Sequence, residues 1–234
     1  VIYLKVIYIY TFIMNLLTNM FKIFTLKYTT PSIVIFPGFG MHPSNYKDIF
    51  PENSNLIYLD IWNDSQFENI SKGLQNGEIT PPGTPKYDIW ISKIIEQCNI
   101  ELQKNTKNKN KFIFFAHSIG VEICNELSQN SIATITYGSS KQLTKKVDVP
   151  TFQLLGTLDS QVNRKLEKWP KDFIPILEGN HFSCSNDEGI FLANKWAKSL
   201  NMPKSKEYTQ INNNKSKMLI KNEIKNIIES LQNT

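Results

Sequence analysis

Short runs of apolar residues alternate with segments of helical period along most of the chain. The apolar runs predict strands at 33–36, 56–59, 112–115, 132–137, 151–155 and 173–177. Apolar residues spaced by about 3.6 positions predict helices at 87–104, 119–129, 187–200 and 215–232, with a short helix after 155. Continuously apolar strands separated by helices are typical of parallel sheets buried on both faces. The sequence therefore predicts an α/β fold, with a mostly parallel central sheet and helices on both faces.

The same pattern divides the chain into three parts. They are a hydrophobic leader at 1–26, one α/β domain at 27–202, and a polar linker with a C-terminal amphipathic helix at 203–234. With 234 residues, of which 41% are apolar, the chain can bury one sizeable core. We expect the isoleucine face of the last helix to pack on the domain, although its lysines and isoleucines would also suit an anionic membrane surface.

The leader has two interpretations. It is rich in aromatic and β-branched residues, lacks a small-residue cleavage site, and carries Lys5 as its single charge before Met20. If residues 1–19 are translated upstream sequence, the true start is Met14 or Met20 and we expect a cytoplasmic protein. If they are an anchor, membrane contact runs through residues 1–20 and the protein is membrane-associated, since about 20 apolar residues span a bilayer.

Composition excludes several classes of partner. The net charge of +5 comes almost entirely from lysine, because Arg164 is the only arginine. Nucleic-acid binding favours a basic stripe with bidentate arginines, so no nucleic-acid partner is expected. Three cysteines without a CxxC pair argue against a disulfide framework, and three histidines without a spaced His/Cys cluster argue against a metal site. We therefore expect neither a metal nor a cofactor; the oligomeric state stays open.

The stretch FIFFAHSIGVEIC, at 112–124, carries the clearest chemical signal. It places Ser118 at the turn between a buried strand and a helix. Such a turn strains the backbone of the serine into a left-handed conformation, so residues two before and two after it must be small. Ala116 and Gly120 meet that demand. The positive N-terminal end of the helix would face the site, which suits a developing oxyanion.

A serine hydroxyl needs a base to take its proton, and that base needs an acid to fix its tautomer. FQLLGTLDSQV leads from a predicted strand into Asp159, and FIPILEGNHFS leads from the next strand into His181. Each has an alternative role, because Asp159 could cap the short helix that follows it and His181 could be a surface-loop residue. Asp60, which also ends a strand, is the reserve acid.

In the order Ser118, Asp159, His181, the chain resembles the α/β-hydrolase superfamily across about residues 31–200. The resemblance implies an α/β-hydrolase fold in which these residues act as nucleophile, orienting acid and general base. It also implies an oxyanion hole built from the backbone N–H groups of Phe39 and Ile119. Many members have His-Gly where this chain has Pro37-Gly38, a departure that bears on the hydrogen bonds bracing the loop rather than on the main-chain donor.

No lid domain fits the short polar interval 138–150, whereas the loop over about 61–86 is long enough to form a flap over a pocket. An ordinary surface excursion is the alternative for that loop. Its possible acyl contacts are Trp62, Phe67 and Leu74. Two histidines near the predicted site are also pocket candidates. His117 precedes the nucleophile and is not expected to transfer a proton, and His42 follows the oxyanion loop.

These features predict a serine hydrolase of esterase, lipase or thioesterase type, acting on a small-molecule or lipid ester. Two alternatives stay open. An acyltransferase would use the same three residues and send the acyl group to an alcohol or amine, and a catalytically silent protein of the same fold would only bind. An intact set of three catalytic residues argues against the silent protein.

Overall fold

The computed structural model describes residues 31–59, 61–63, 68, 72, 76, 85–105, 112–139, 149–163, 172–199 and 214–232. These residues belong to one compact unit, Pro31–Thr234. The leader lies outside the described residues, as do Asp60, Phe67, Leu74 and most of the two intervals considered for a lid and a flap.

The described elements follow the predicted alternation of strands and helices. The strands are β1 Ser32–Phe36, β2 Leu56–Tyr58, β3 Phe112–His117, β4 Ala133–Tyr137, β5 Thr151–Gly156 and β6 Phe173–Ile176. The α-helices are α1 Pro85–Asn105, α2 Gly120–Leu127, α3 Ser160–Asn163, α4 Asp187–Ser199 and α5 Asn214–Gln232. Two 3-10 helices, Pro43–Ile49 and Ser128–Asn130, complete the set. The first of these was not predicted.

The six described strands form one sheet in the order β2-β1-β3-β4-β5-β6, and every neighbouring pair is parallel. The predicted α/β class is therefore confirmed. The chain runs outward from β1 to β2 and then returns to the other side of β1, so the strand order reverses between β1 and β3. In open parallel sheets, ligands bind beyond the carboxyl ends of the strands at such a switch point.

Helices cover both faces of the sheet, as predicted. Along β1, Ile33 and Ile35 enter one buried cluster while Val34 and Phe36 enter the other, because successive side chains of a strand point to opposite faces. The first cluster takes its helical residues from α4, α5 and the helix Pro43–Ile49. The second takes them from α1 and α2.

Helix α5 packs its isoleucine face on the domain, as expected from its sequence. Ile220, Ile224, Ile227 and Ile228 are buried in the first cluster. Two polar contacts join the same helix to the segment that follows β6. Ser216 Oγ donates to Ser183 Oγ at 3.1 Å in a buried position, and Lys215 Nζ lies 3.3 Å from Glu178 Oε1 at the surface.

This packing predicts that Ile220→Ala destabilises the protein by about 2–5 kcal/mol, through lost burial and the cavity left behind. Met218→Ala, at an exposed position on the same helix, should change the free energy of unfolding by no more than about 0.5 kcal/mol. Urea denaturation of both variants measures the difference. Equal effects would show that α5 is not held on the domain by its buried face.

Candidate active site

Three strands lead into a chain of hydrogen-bonded side chains at the carboxyl edge of the sheet. Ser118 follows β3, Asp159 follows β5 and His181 follows β6. His181 Nε2 lies 3.0 Å from Ser118 Oγ, and His181 Nδ1 lies 3.0 Å from Asp159 Oδ2. Because a carboxylate oxygen only accepts, Nδ1 carries the ring proton and Nε2 accepts from the serine hydroxyl. The structure thus brings together the three residues that the sequence grouped.

Ser118 sits on a strained turn. Its φ is 53°, in the left-handed region that costs a non-glycine residue of the order of 1–3 kcal/mol. Two backbone hydrogen bonds hold the turn in this shape: the Ser118 N–H donates to the Tyr137 carbonyl at 3.1 Å, and the Ser118 carbonyl accepts from the Val121 N–H at 3.1 Å. The strain therefore falls on the residue that presents its hydroxyl to His181.

Gly120 explains the small residue two positions after the serine. A Cβ there would collide with the Phe36 carbonyl and would lie 2.8 Å from the Pro37 oxygen. Both obstacles are backbone, so they cannot rotate away. The start of α2 therefore packs directly against the loop that leaves β1, which is the loop carrying Phe39.

Asp159 combines the two roles that the sequence left as alternatives. Its side chain is fully buried, and each oxygen has different partners. Oδ1 accepts from the N–H groups of Gln161 and Val162, both at 3.1 Å, which caps the short helix α3. Oδ2 faces the ring of His181. Three hydrogen bonds thus offset the loss of hydration that burial imposes on the carboxylate.

The loop that carries His181 is anchored by buried polar contacts. Tyr137 Oη donates to the Asn180 carbonyl at 2.7 Å, and the Asn180 side-chain oxygen accepts from the Phe182 N–H at 2.9 Å. Gly138, whose φ is 66°, makes room for the ring of His181. A Cβ at this glycine would lie 3.2 Å from His181 Nδ1. His181 is therefore fixed both through its main chain and by the limited space around its ring.

The predicted oxyanion donors lie at the switch point of the sheet. Phe39 leaves β1 and Ile119 leaves β3, which is its neighbour in the sheet. Among the described residues, neither N–H has a hydrogen-bond acceptor. The Gly38 N–H, one residue before Phe39, donates to Tyr46 Oη at 2.8 Å. This bond braces the loop that carries Pro37 and Gly38.

The aromatic ring of Phe39 packs between two tryptophans. Its centroid lies 5.2 Å from that of Trp62 and 5.5 Å from that of Trp196, both in edge-to-face geometry. Trp62 Nε1 also donates to the Pro37 carbonyl at 3.4 Å. Trp62 is thus mostly buried against the loop that follows β1, whereas Phe39 and Trp196 are only partly buried.

His117 is not a pocket residue, which corrects one of the sequence expectations. Its side chain is 0% exposed, so a substrate cannot reach it. The Nε2 atom lies 2.8 Å from the His181 carbonyl, and Nδ1 lies 2.8 Å from Tyr46 Oη. Burial, with a smaller contribution from the neighbouring His181, holds the pKa of His117 well below its usual value. The imidazole is therefore neutral and has a structural role, through the hydrogen bonds at its two nitrogens.

The remaining candidates lie apart from the hydrogen-bonded chain or outside the described residues. His42 is exposed, and its ring accepts from the Ser44 N–H at 3.2 Å as the N-cap of the helix Pro43–Ile49. That bond gives the ring a structural role at the surface. Asp60, the reserve acid, lies outside the described residues, as do Phe67 and Leu74, the other flap candidates.

Three residues that matter for this geometry were not singled out from the sequence: Tyr46, Tyr137 and Trp196. Tyr46 had a detectable signal, because Tyr46, Ile49 and Phe50 follow a helical i, i+3, i+4 spacing and Pro43 stands at a favourable first position. Tyr137 and Trp196 had no such signal, because the sequence pattern marks each of them only as an apolar residue on the buried face of its strand or helix.

The described ranges contain few signs of other chemistry. No group of three or more His, Cys, Asp or Glu there is arranged to hold a metal ion, and no described helix is long and apolar enough to cross a membrane. The three cysteines are free and buried. Burial raises the pKa of the Cys98 thiol to about 12 and that of Cys184 well above its usual value, which leaves them poor nucleophiles.

No family model matches the chain, and no curated protein matches it in sequence. Any functional inference therefore rests on the geometry of the site. That geometry consists of a strained serine, a histidine in contact with it and a buried carboxylate behind the histidine.

The lowered pKa of His117 predicts a loss of stability in acid. Below about pH 6.5 the unfolded chain takes up a proton on this histidine that the folded chain excludes. The free energy of unfolding should therefore fall with decreasing pH, by at most about 1.4 kcal/mol per unit from this group, and should gain nothing from it above that range. Urea denaturation between about pH 5 and pH 8 measures the slope.

His117→Gln is the matched variant for this experiment, because it lacks the titrating ring. The charged and titratable groups that face His117, namely Tyr46, Tyr137 and the pair His181 and Asp159, are the same in both proteins. We expect a shallower acid slope in the variant. Parallel pH profiles would mean that the pKa of His117 does not differ between the folded and the unfolded protein.

Proposed function

We propose that this chain is a serine hydrolase of α/β-hydrolase type, which cleaves a carboxylic ester or thioester through an acyl-enzyme on Ser118. The observation that carries the proposal is the continuous chain from Asp159 Oδ2 through the His181 ring to Ser118 Oγ, with both contacts at 3.0 Å. A nucleophile, a base in contact with it and an acid that orients the base are the parts required for acyl transfer.

In the first half of the reaction, Ser118 Oγ attacks the carbonyl carbon of the substrate while His181 Nε2 takes the hydroxyl proton. The carbonyl oxygen becomes an oxyanion, which the Phe39 and Ile119 N–H groups would stabilise. The tetrahedral intermediate then breaks its bond to the alcohol or thiol. His181 returns the proton to that leaving group, and the acyl group stays on Ser118 as an ester.

In the second half, a water molecule attacks the acyl-enzyme. His181 Nε2 takes a proton from the water, and the oxyanion forms again at the same donors. Collapse breaks the bond to Ser118 Oγ, which recovers its proton from His181 and releases the carboxylic acid. Asp159 stays unprotonated throughout, because its part is to hold the Nδ1–H tautomer and to stabilise the imidazolium.

Several observations support the finer assignment to the α/β-hydrolase fold. The serine stands on a left-handed turn between β3 and α2, the acid and the base follow later strands in the order Ser, Asp, His, and the loop after β1 lies against the turn. The partly exposed rings of Phe39 and Trp196, next to the predicted oxyanion donor, favour a substrate with an apolar group. The complete hydrogen-bonded chain also favours an active enzyme over a silent binding protein.

The first test is covalent labelling of the serine. A fluorophosphonate probe should label the wild type and leave Ser118→Ala unlabelled, because only an activated hydroxyl attacks the phosphorus. Ser199→Ala, which alters an exposed serine at the end of α4, should label like the wild type. Labelling that survives in Ser118→Ala would refute the assignment. If only the wild type and Ser199→Ala are labelled, p-nitrophenyl esters of increasing chain length define the substrate range.

The second test separates the two roles of Asp159. Asparagine caps a helix as well as aspartate does, so Asp159→Asn should change stability little. It cannot fix the required tautomer of His181, so kcat for a p-nitrophenyl ester should fall by about 10⁴. Asp60→Asn is the matched control and should keep its activity. If instead Asp60→Asn abolishes turnover while Asp159→Asn does not, the orienting acid is Asp60.

A further inference from the structure

A buried chain of three hydrogen bonds joins the oxyanion loop to the loop of the base. The Gly38 N–H donates to Tyr46 Oη, Tyr46 Oη contacts His117 Nδ1, and His117 Nε2 contacts the His181 carbonyl, each at 2.8 Å. The side chains of Tyr46 and His117 are both 0% exposed. Solvent therefore cannot substitute for any of these bonds.

The direction of each bond follows from the groups involved. A carbonyl oxygen only accepts, so the proton of His117 is on Nε2 and its Nδ1 is an acceptor. Tyr46 has a single hydroxyl proton, which it donates to Nδ1 in preference to the weaker acceptor Met41 Sδ at 3.2 Å. The Tyr46 oxygen remains free to accept from the Gly38 N–H. Each of the three protons thus goes to one acceptor, and this series of hydrogen bonds has one arrangement of protons.

We propose that Tyr46 and His117 are positioning residues that couple the oxyanion loop to the catalytic base. This inference rests on the proposed function, because it assigns work within the same site. Gly38 directly precedes Phe39, whose N–H is the predicted oxyanion donor. At the other end, the bond to the His181 carbonyl fixes the peptide from which the base extends. One buried imidazole therefore sets the donor and the base relative to each other.

Neither positioning residue is hydrogen-bonded to Ser118 Oγ or to a ring nitrogen of His181, so the coupling should act through the positions of the donor and the base, on the rate of the chemical step. Donors aimed at a developing oxyanion stabilise the transition state and not the bound ester, provided that their positions are fixed in advance. Loss of the coupling should consequently lower kcat and leave KM nearly unchanged. A displacement of about 1 Å in a catalytic group can cost about 100-fold.

Tyr46→Phe tests the loop end of the chain. The substitution removes one oxygen and keeps the ring that packs on Phe115 and His117 with centroids 5.6 Å away. We expect kcat for a p-nitrophenyl ester to fall by about 10- to 100-fold and KM to change by less than about twofold. Ile49→Val, a buried change on the same 3-10 helix, is the control for general loosening and should keep kcat.

Variants of His117 separate its two ends. His117→Gln keeps a donor near the His181 carbonyl and loses the acceptor for Tyr46, whereas His117→Asn keeps that acceptor and loses the donor. Because Tyr46→Phe and His117→Gln break the same link, the double variant should be about as active as the slower single variant. Thermal denaturation of every variant comes first, so that rates are compared only among folded proteins.

The outcomes are distinct. A wild type that neither labels with fluorophosphonate nor hydrolyses any ester overturns the proposed function and this inference with it. If the wild type is active, three results overturn the inference alone. They are an unchanged kcat in Tyr46→Phe, an equal loss of kcat in Ile49→Val, and a double variant in which the kcat losses of Tyr46→Phe and His117→Gln multiply. A selective fall in kcat with a non-additive double variant supports the coupling.

Discussion

The contact between Gly120 and the carbonyl groups that end β1 is the steric constraint on which the site depends. It allows α2 to begin against the loop that leaves the neighbouring strand, so the turn of Ser118 and the loop of Phe39 share one narrow place at the edge of the sheet. The parallel register fixes this proximity, since Phe36 pairs with Ala116 in adjacent strands. The left-handed backbone conformation of Ser118 follows from this close packing, because the sharp turn from β3 into α2 requires a strained φ at that residue.

Polar groups at this edge are buried in positions where each has a partner. Asp159 accepts three hydrogen bonds, the Asn180 carbonyl accepts one from Tyr137, and the ring of His117 bonds at both nitrogens. An unpaired polar group in such a place would cost about 1–3 kcal/mol, so a substitution that leaves one of these groups without its partner is expected to destabilise the fold. Such an arrangement is rigid, because buried polar groups have no water molecules with which to exchange these hydrogen bonds.

The sequence predicted what is encoded locally. Apolar runs marked all six described strands, and the turn around Ser118 was legible because its steric demands fall on residues two positions away. Asp159 and His181 could be grouped because parallel strands bring their carboxyl ends to one edge. What the sequence could not reveal were pairings between distant positions. Tyr46 meets His117 across 71 residues, and Tyr137 meets Asn180 across 43, without a local pattern that announces either contact. His117 was consequently misjudged as lining a pocket.

The hydrogen bond between Ser216 and Ser183 has a consequence for the order in which parts of the protein fold during synthesis. Ser183 exchanges hydrogen bonds with Asn180, so the segment around His181 receives part of its support from a helix synthesised afterwards. At roughly 5–20 residues per second, a ribosome needs several seconds to advance from the base to the end of α5. The strands, Ser118 and Asp159 emerge before that time, whereas the packing around His181 is completed last. A nascent chain would therefore form its sheet before the segment that carries His181 is fully packed.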